Sequence, residues 1–150
     1  MGDRAANLRD AIGRVAEAGT VKATSCLYET EPVGFRDQPW FLNCVVALDS
    51  GESPRDLLTR ALAIEEAMGR RRTREKGPRT IDIDILLFGH RVIDEPGLKV
   101  PHPVMHERRF VLEPLAEIAP GAFHPVLKQT ARELLVKLPT GQSVWRVDAG

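Results

Sequence analysis

Asp82 and Asp84 stand two residues apart in the run Ile81-Asp82-Ile83-Asp84-Ile85. Alternation of that kind has the period of a β-strand, which predicts the isoleucines on one face and both carboxylates on the other, about 6.6 Å apart along the backbone. Two like charges held side by side repel each other and are costly to bury without a partner. A divalent cation resolves the conflict, and all-oxygen ligands suit magnesium. Just before this run, Arg70, Arg71, Arg72, Arg74, Lys76 and Arg79 fall within ten residues. Guanidinium groups grip phosphate oxygens in a bidentate fork. Carboxylates beside a basic loop therefore suit a magnesium-bound polyphosphate. Each feature also has a plainer reading: aspartates on the solvent face of a one-sided sheet, and a solvated helix end with weak surface ion pairs.

Several familiar frames are absent. The chain has no G-x-x-x-x-G-K-[ST] loop, no G-x-G-x-x-G turn and no G-x-S-x-G elbow. His102 and His106 lie four apart, but Pro103 between them argues against one regular helix presenting both to a zinc ion. A nucleotide site here requires some other scaffold.

The elements that must position these groups are legible from periodicity. Leu8, Ala11, Ile12 and Val15 predict a helix ending at Gly19. VKATSCLYET and PWFLNCVVAL each read as a strand, joined by the Pro/Gly loop EPVGFRDQP. Ser53 as N-cap, Pro54 in the first turn and Asp56 near the helix dipole predict a second helix running to Gly69. After the aspartate strand, RVI is expected to turn back at Gly89–His90 and pair with it. A proline-punctuated loop, a short helix, the helix TARELLVKL and an edge strand SVWRV complete the chain. This order predicts an α+β sandwich with helices on one face of a mostly antiparallel sheet.

At 150 residues with no dividing linker, the chain reads as a single domain, residues 1–150. Its formal net charge of zero gives no electrostatic reason to expect nucleic acid or an acidic membrane surface. Cys26 and Cys44 have no metal-type spacing and are expected to be free, buried thiols. Without a long apolar run or a signal peptide, a cytoplasmic protein is expected.

GPRTIDIDILLFG resembles the signature of the 6-hydroxymethyl-7,8-dihydropterin pyrophosphokinase family of folate biosynthesis. ETEPVGFRDQPWFLN resembles that family's pterin-binding loop, and VPHPVMHERRFVLEPLAEIAP its C-terminal segment. The three motifs occur in the family's order. The resemblance implies a ferredoxin-like α+β fold, transfer of pyrophosphate from ATP to the pterin's hydroxymethyl group with release of AMP, and two Mg2+ ions held by Asp82 and Asp84. It further implies that Thr30, Val33 and Asn43 meet the pterin's amide edge, while Phe41 and Phe110 clamp its ring. Glu65, Arg70, Arg72, Arg79, His102 and Arg108 would contact ATP. Arg70, Arg79 and Asp82 would be catalytic, Asp82 as one candidate acceptor of the hydroxyl proton. The partners implied are ATP and a pterin, with no nucleic acid and no membrane, acting on a monomer.

The resemblance departs at the N-terminus. Met1 stands where the leucine of the family's first Gly-Ser-Asn-Leu-Gly turn would be. The first strand is therefore expected to be missing, which would leave a sheet edge open to strand addition or self-association. One alternative follows from that loss, a catalytically impaired relative with a structural or regulatory role; another rests on the arginine loop, a ferredoxin-like RNA-binding module.

Overall fold

The structure, a computed structural model, describes residues 4–30, 41–70, 81–139 and 144–147. Helix α1 spans Arg4–Val15 and tightens into a 3-10 turn over Ala16–Ala18. Gly19 follows for a reason that periodicity does not show. A Cβ there would lie 2.2 Å from the Asp49 carbonyl oxygen, so only glycine lets the two backbones approach. Ser50 Oγ donates to the Ala18 carbonyl at 2.6 Å across the same junction.

The two expected strands are each broken in two. β1 is Thr20–Thr24 and β2 is Leu27–Thr30; β3 is Phe41–Asn43 and β4 is Val46–Asp49. The breaks face each other. Ser25 N–H donates to the Val45 carbonyl, and Val45 N–H donates to Ser25 Oγ, both at 2.9 Å. A hydroxyl thus takes the place of a backbone acceptor where the hairpin kinks. β1 pairs antiparallel with β4, while β2 lies between β3 and the edge strand β9, Val144–Val147. The edge-strand expectation for SVWRV holds.

Helix α2, Pro54–Arg70, starts as expected: Ser53 Oγ accepts the Asp56 N–H at 3.1 Å. RVI does not pair with the aspartate segment. β5, Ile93–Glu95, forms a hairpin with β6, Leu98–Val100, through a turn in which Gly97 adopts a φ of +77°. Helix α3 covers Arg109–Ile118. A two-residue hairpin of β7, Phe123–His124, and β8, Gln129–Thr130, leads into α4, Ala131–Lys137, which opens on a Thr130/Glu133 capping box.

The α+β expectation holds: four helices stand among short antiparallel strands. Ala11, Ile64 and Met68 of α1 and α2 pack with Ile81 and Ile83. Leu112, Leu115 and Leu134 of α3 and α4 pack with Val45 and Leu86.

The aspartate segment itself is a correction. Burial alternates as predicted, with Ile81 buried, Asp82 and Asp84 exposed, and Ile83 and Ile85 half-buried. Yet residues 81–88 belong to no ladder among the described residues. The segment has a strand's side-chain pattern outside any ladder among the described residues.

Candidate functional site

Thr30 ends β2 and is 1% exposed. Its hydroxyl accepts from Asn43 Nδ2 at 3.0 Å, and the ladder sets Tyr28 opposite Asn43 and Thr30 opposite Phe41. Two of the expected pterin contacts are therefore held together by one hydrogen bond and a fixed register. Asn43 keeps its amide carbonyl and its second N–H for a ligand, a donor-acceptor pair that suits an amide-like ring edge.

Behind them, α3 is bolted to β2. Glu117 accepts from Tyr28 Oη at 2.8 Å and from the Cys26 N–H at 3.1 Å. Burial opposes ionisation of Glu117, but those donors hold its carboxyl below the usual range. Tyr28 is pushed up, chiefly by burial, so its phenol keeps its proton and donates. Arg146 of β9 reaches the same phenol at 3.4 Å. This joint was not legible in the sequence, because Tyr28, Glu117 and Arg146 are far apart along the chain. Cys26 and Cys44 are free, as expected, though half-buried rather than buried.

Asp82 and Asp84 share the face opposite Ile81 and Ile83, and both carboxylates are exposed. Glu65 of α2 accepts the Ile83 N–H at 2.6 Å, a charge-assisted bond that fastens the segment to the helix between the two aspartates. His102 clasps the same segment from the other end: its N–H donates to the Leu86 carbonyl at 2.9 Å. Its Nδ1 accepts the Val104 N–H at 3.3 Å, which leaves the ring proton of the neutral imidazole on Nε2. Burial lowers the His102 pKa, Asp84 pulls it up, and Arg108 pushes it down. His102, Asp84 and Arg108 therefore feel one another electrostatically. Arg108 also lies over the Phe110 ring, 5.6 Å from its centroid.

Asn43, Asp82, Asp84 and Phe110 line one cavity of about 570 Å3. The structure thus brings one residue expected to meet the pterin's edge, one expected to meet its ring, and both carboxylates to a common space, with Thr30, Glu65, His102 and Arg108 tied to them. Phe41 and Arg70 are placed by their backbone alone, and Val33, Arg72 and Arg79 lie outside the described residues. No group of three or more His, Cys, Asp or Glu forms a metal cluster among the described residues. Two exposed carboxylates still fit magnesium, which keeps several waters and takes one or two carboxylates plus substrate phosphates.

Comparison with known proteins adds an independent finding. The family described as 7,8-dihydro-6-hydroxymethylpterin-pyrophosphokinase matches residues 1–120. The 2-amino-4-hydroxy-6-hydroxymethyldihydropteridine pyrophosphokinase of Methylorubrum extorquens is 44% identical over 144 residues, covering 94% of this chain and 90% of that protein. The protein of the same name from Pseudomonas aeruginosa is 52% identical over 111 residues, 74% of this chain and 68% of its own length. The folic acid synthesis protein FOL1 of Dictyostelium discoideum is 37% identical over 147 residues, 98% of this chain but 22% of that longer protein.

Proposed function

This chain belongs to the 7,8-dihydro-6-hydroxymethylpterin-pyrophosphokinase family, and we propose that it performs the family reaction at the cavity shared by Asn43, Asp82, Asp84 and Phe110. It is an ATP-dependent pyrophosphokinase of folate synthesis. Pyrophosphate passes from ATP to the hydroxymethyl group of 6-hydroxymethyl-7,8-dihydropterin. The hydroxymethyl oxygen bonds to the β-phosphorus, the bond from that phosphorus to the α–β bridging oxygen breaks, and AMP leaves. The observation that carries the assignment of the site is the convergence of the Asn43 and Asp82/Asp84 groups on one cavity.

Asn43, oriented by buried Thr30, reads the pterin's amide edge, and Phe110 with Phe41 holds the ring. Asp82 and Asp84 are the residues that would hold two Mg2+ ions, which would supply charge neutralisation to the transferred phosphates. Phosphoryl transfer depends on positioning and electrostatics more than on covalent chemistry. Arg70 and Arg79 fit that need by aligning the triphosphate with the hydroxyl, and Glu65 and Arg72 belong to the same ATP-facing set. His102 offers its Nε2–H to a phosphate or ribose oxygen, beside the Arg108 cation. Asp82 is one candidate acceptor of the hydroxyl proton; a metal that lowers the hydroxyl's pKa is the other route. In this reading residues 1–150 form one domain that works as a monomer on two small molecules in the cytoplasm; no helix among the described residues is long and apolar enough to cross a membrane. The family assignment does not favour the RNA-binding or the structural alternative.

The test is product analysis with ATP, magnesium and the pterin. Pterin-dependent AMP is expected. Release of ADP, or of AMP without pterin, would sink the reading.

A further inference from the structure

Phe110 and Glu117 stand seven residues apart on α3. At about 100° per residue they fall within about 20° of one line along the helix, roughly 10.5 Å from each other. Leu112 and Leu115 turn away from that line and pack with Ala131 and Leu134 of α4. On β2, Tyr28 and Thr30 are both buried and share one face, and the ladder sets Asn43 opposite Tyr28. One line of α3 thus makes two approaches to this region. At one end Glu117 accepts from the Tyr28 phenol at 2.8 Å, and both its oxygens accept the Cys26 N–H at 3.1 Å. At the other end Phe110 borders the cavity that Asn43 also lines.

Apolar packing against α4 keeps α3 on the core, but it is non-directional and does not fix how far the helix slides or tilts. Hydrogen bonds are directional, and the Glu117 carboxylate ties α3 to two points of the chain around β2. The two turns between Glu117 and Phe110 are regular helix. The joint at one end therefore sets where the ring at the other end stands relative to Asn43. Contact with a flat ring is sensitive to that spacing, since a gap of about 0.5–1 Å forfeits about a quarter to a half of the dispersion attraction.

We propose that Glu117 is a positioning residue for the pterin: through its bonds to Tyr28 and Cys26 it holds Phe110 at stacking distance from a ring whose edge Asn43 reads. The inference rests on the pterin site proposed above. In this role the reach of the side chain matters more than its charge. Glutamine has the same reach, and its carbonyl oxygen can accept from both the phenol and the Cys26 N–H. Aspartate keeps the charge but is one methylene shorter, so it cannot hold both donors with α3 in place. Tyr28→Phe removes one donor and leaves the carboxylate on the Cys26 N–H. Glu65, Asp82 and Asp84, proposed to face ATP and metal, stand on other elements and are not moved by α3.

The test is calorimetry on the full chain with magnesium, measuring an unreactive ATP analogue alone and then 6-hydroxymethyl-7,8-dihydropterin in its presence. Glu117→Asp should weaken pterin binding about tenfold, with the affinity for the analogue within about threefold of the parent. Glu117→Gln should bind pterin within about threefold of the parent. Undiminished pterin affinity in Glu117→Asp would overturn the proposal. So would an equal loss in Glu117→Gln, which would make charge the operative property. Equal loss of analogue affinity in Glu117→Asp, or failure of that variant to fold, would make Glu117 purely structural and would also overturn it. No pterin binding by the parent chain would overturn the proposed site, and this inference with it.

Discussion

β2 and the aspartate segment carry the two halves of the proposed site, and they are held in opposite ways. β2 is bonded on both edges, by β3 and β9, and is anchored to α3 through Tyr28 and Glu117. Thr30 at its end is 1% exposed. The aspartate segment belongs to no described ladder and is held by packing of Ile81 and Ile83, by the Glu65 carboxylate and by the His102 N–H. Fixing a side chain by a ladder sets its register and its direction together. Fixing it by separate clasps sets its position with fewer shared bonds. The half proposed to read the pterin is thus the more firmly preorganised, and the half proposed to face phosphate and metal is the less firmly held.

The largest expected effect comes from the second half. Asp82→Asn should lower turnover by about a hundredfold to a thousandfold or more, the scale of losing a group that stabilises transition-state charge. Because the carboxylate is exposed, the melting temperature should stay within about 2 °C of the parent. A matching fall in melting temperature would show that Asp82 is structural, and would erase the contrast between the halves.

Thr30→Val attacks the first half. It leaves the half-buried Asn43 amide without its acceptor, which costs about 1 kcal/mol. The pterin KM should rise about tenfold to a hundredfold while kcat at saturation holds. Glu65→Gln is the corresponding lesion in the aspartate segment. Loss of the charge-assisted bond to Ile83 should cost about 1–2 kcal/mol. It should speed exchange of the Ile83 amide and raise the KM for Mg·ATP, with pterin affinity unchanged. If pterin affinity fell equally, the two halves would be one mechanical unit.

Tyr28→Phe should cost about 1 kcal/mol of stability with little kinetic change, since the phenol bolts α3 to β2 and faces no substrate. The smallest effect expected is from His124, buried at 5% exposure and 6.2 Å from the His106 ring. Burial and the nearby His106 lower its folded-state pKa. The unfolded chain therefore takes up the proton first. Stability should be full above about pH 6.5 and fall as the pH drops from there towards the folded value. His124→Gln should flatten that part of a melting-temperature profile.

The sequence revealed side-chain pattern better than backbone pairing. The alternation at Ile81–Ile85 correctly forecast which residues are exposed, because burial follows parity along an extended chain. It said nothing about whether a neighbouring strand stands beside that chain. RVI lies nearest the Gly89–His90 turn, yet the Pro96–Gly97 turn, with glycine at positive φ, closes the hairpin of Ile93–Glu95 with Leu98–Val100. The kink at Ser25 and Val45 was hidden because a serine hydroxyl replaces a ladder acceptor without disturbing the β-branched pattern around it. The roles of Glu65 and His102 as clasps on the aspartate segment depend on contacts across 18 and 16 residues, which no local motif announces.

The most direct test of the account reads both halves on one protein. Asp84→Asn would be assayed for pterin-dependent AMP release and, separately, for pterin binding by calorimetry in the presence of an unreactive ATP analogue. The account predicts AMP release down by about a hundredfold or more with pterin affinity within about threefold of the parent. Equal loss of both, in a protein that is still folded, would contradict a preorganised pterin half and a separately held phosphate half.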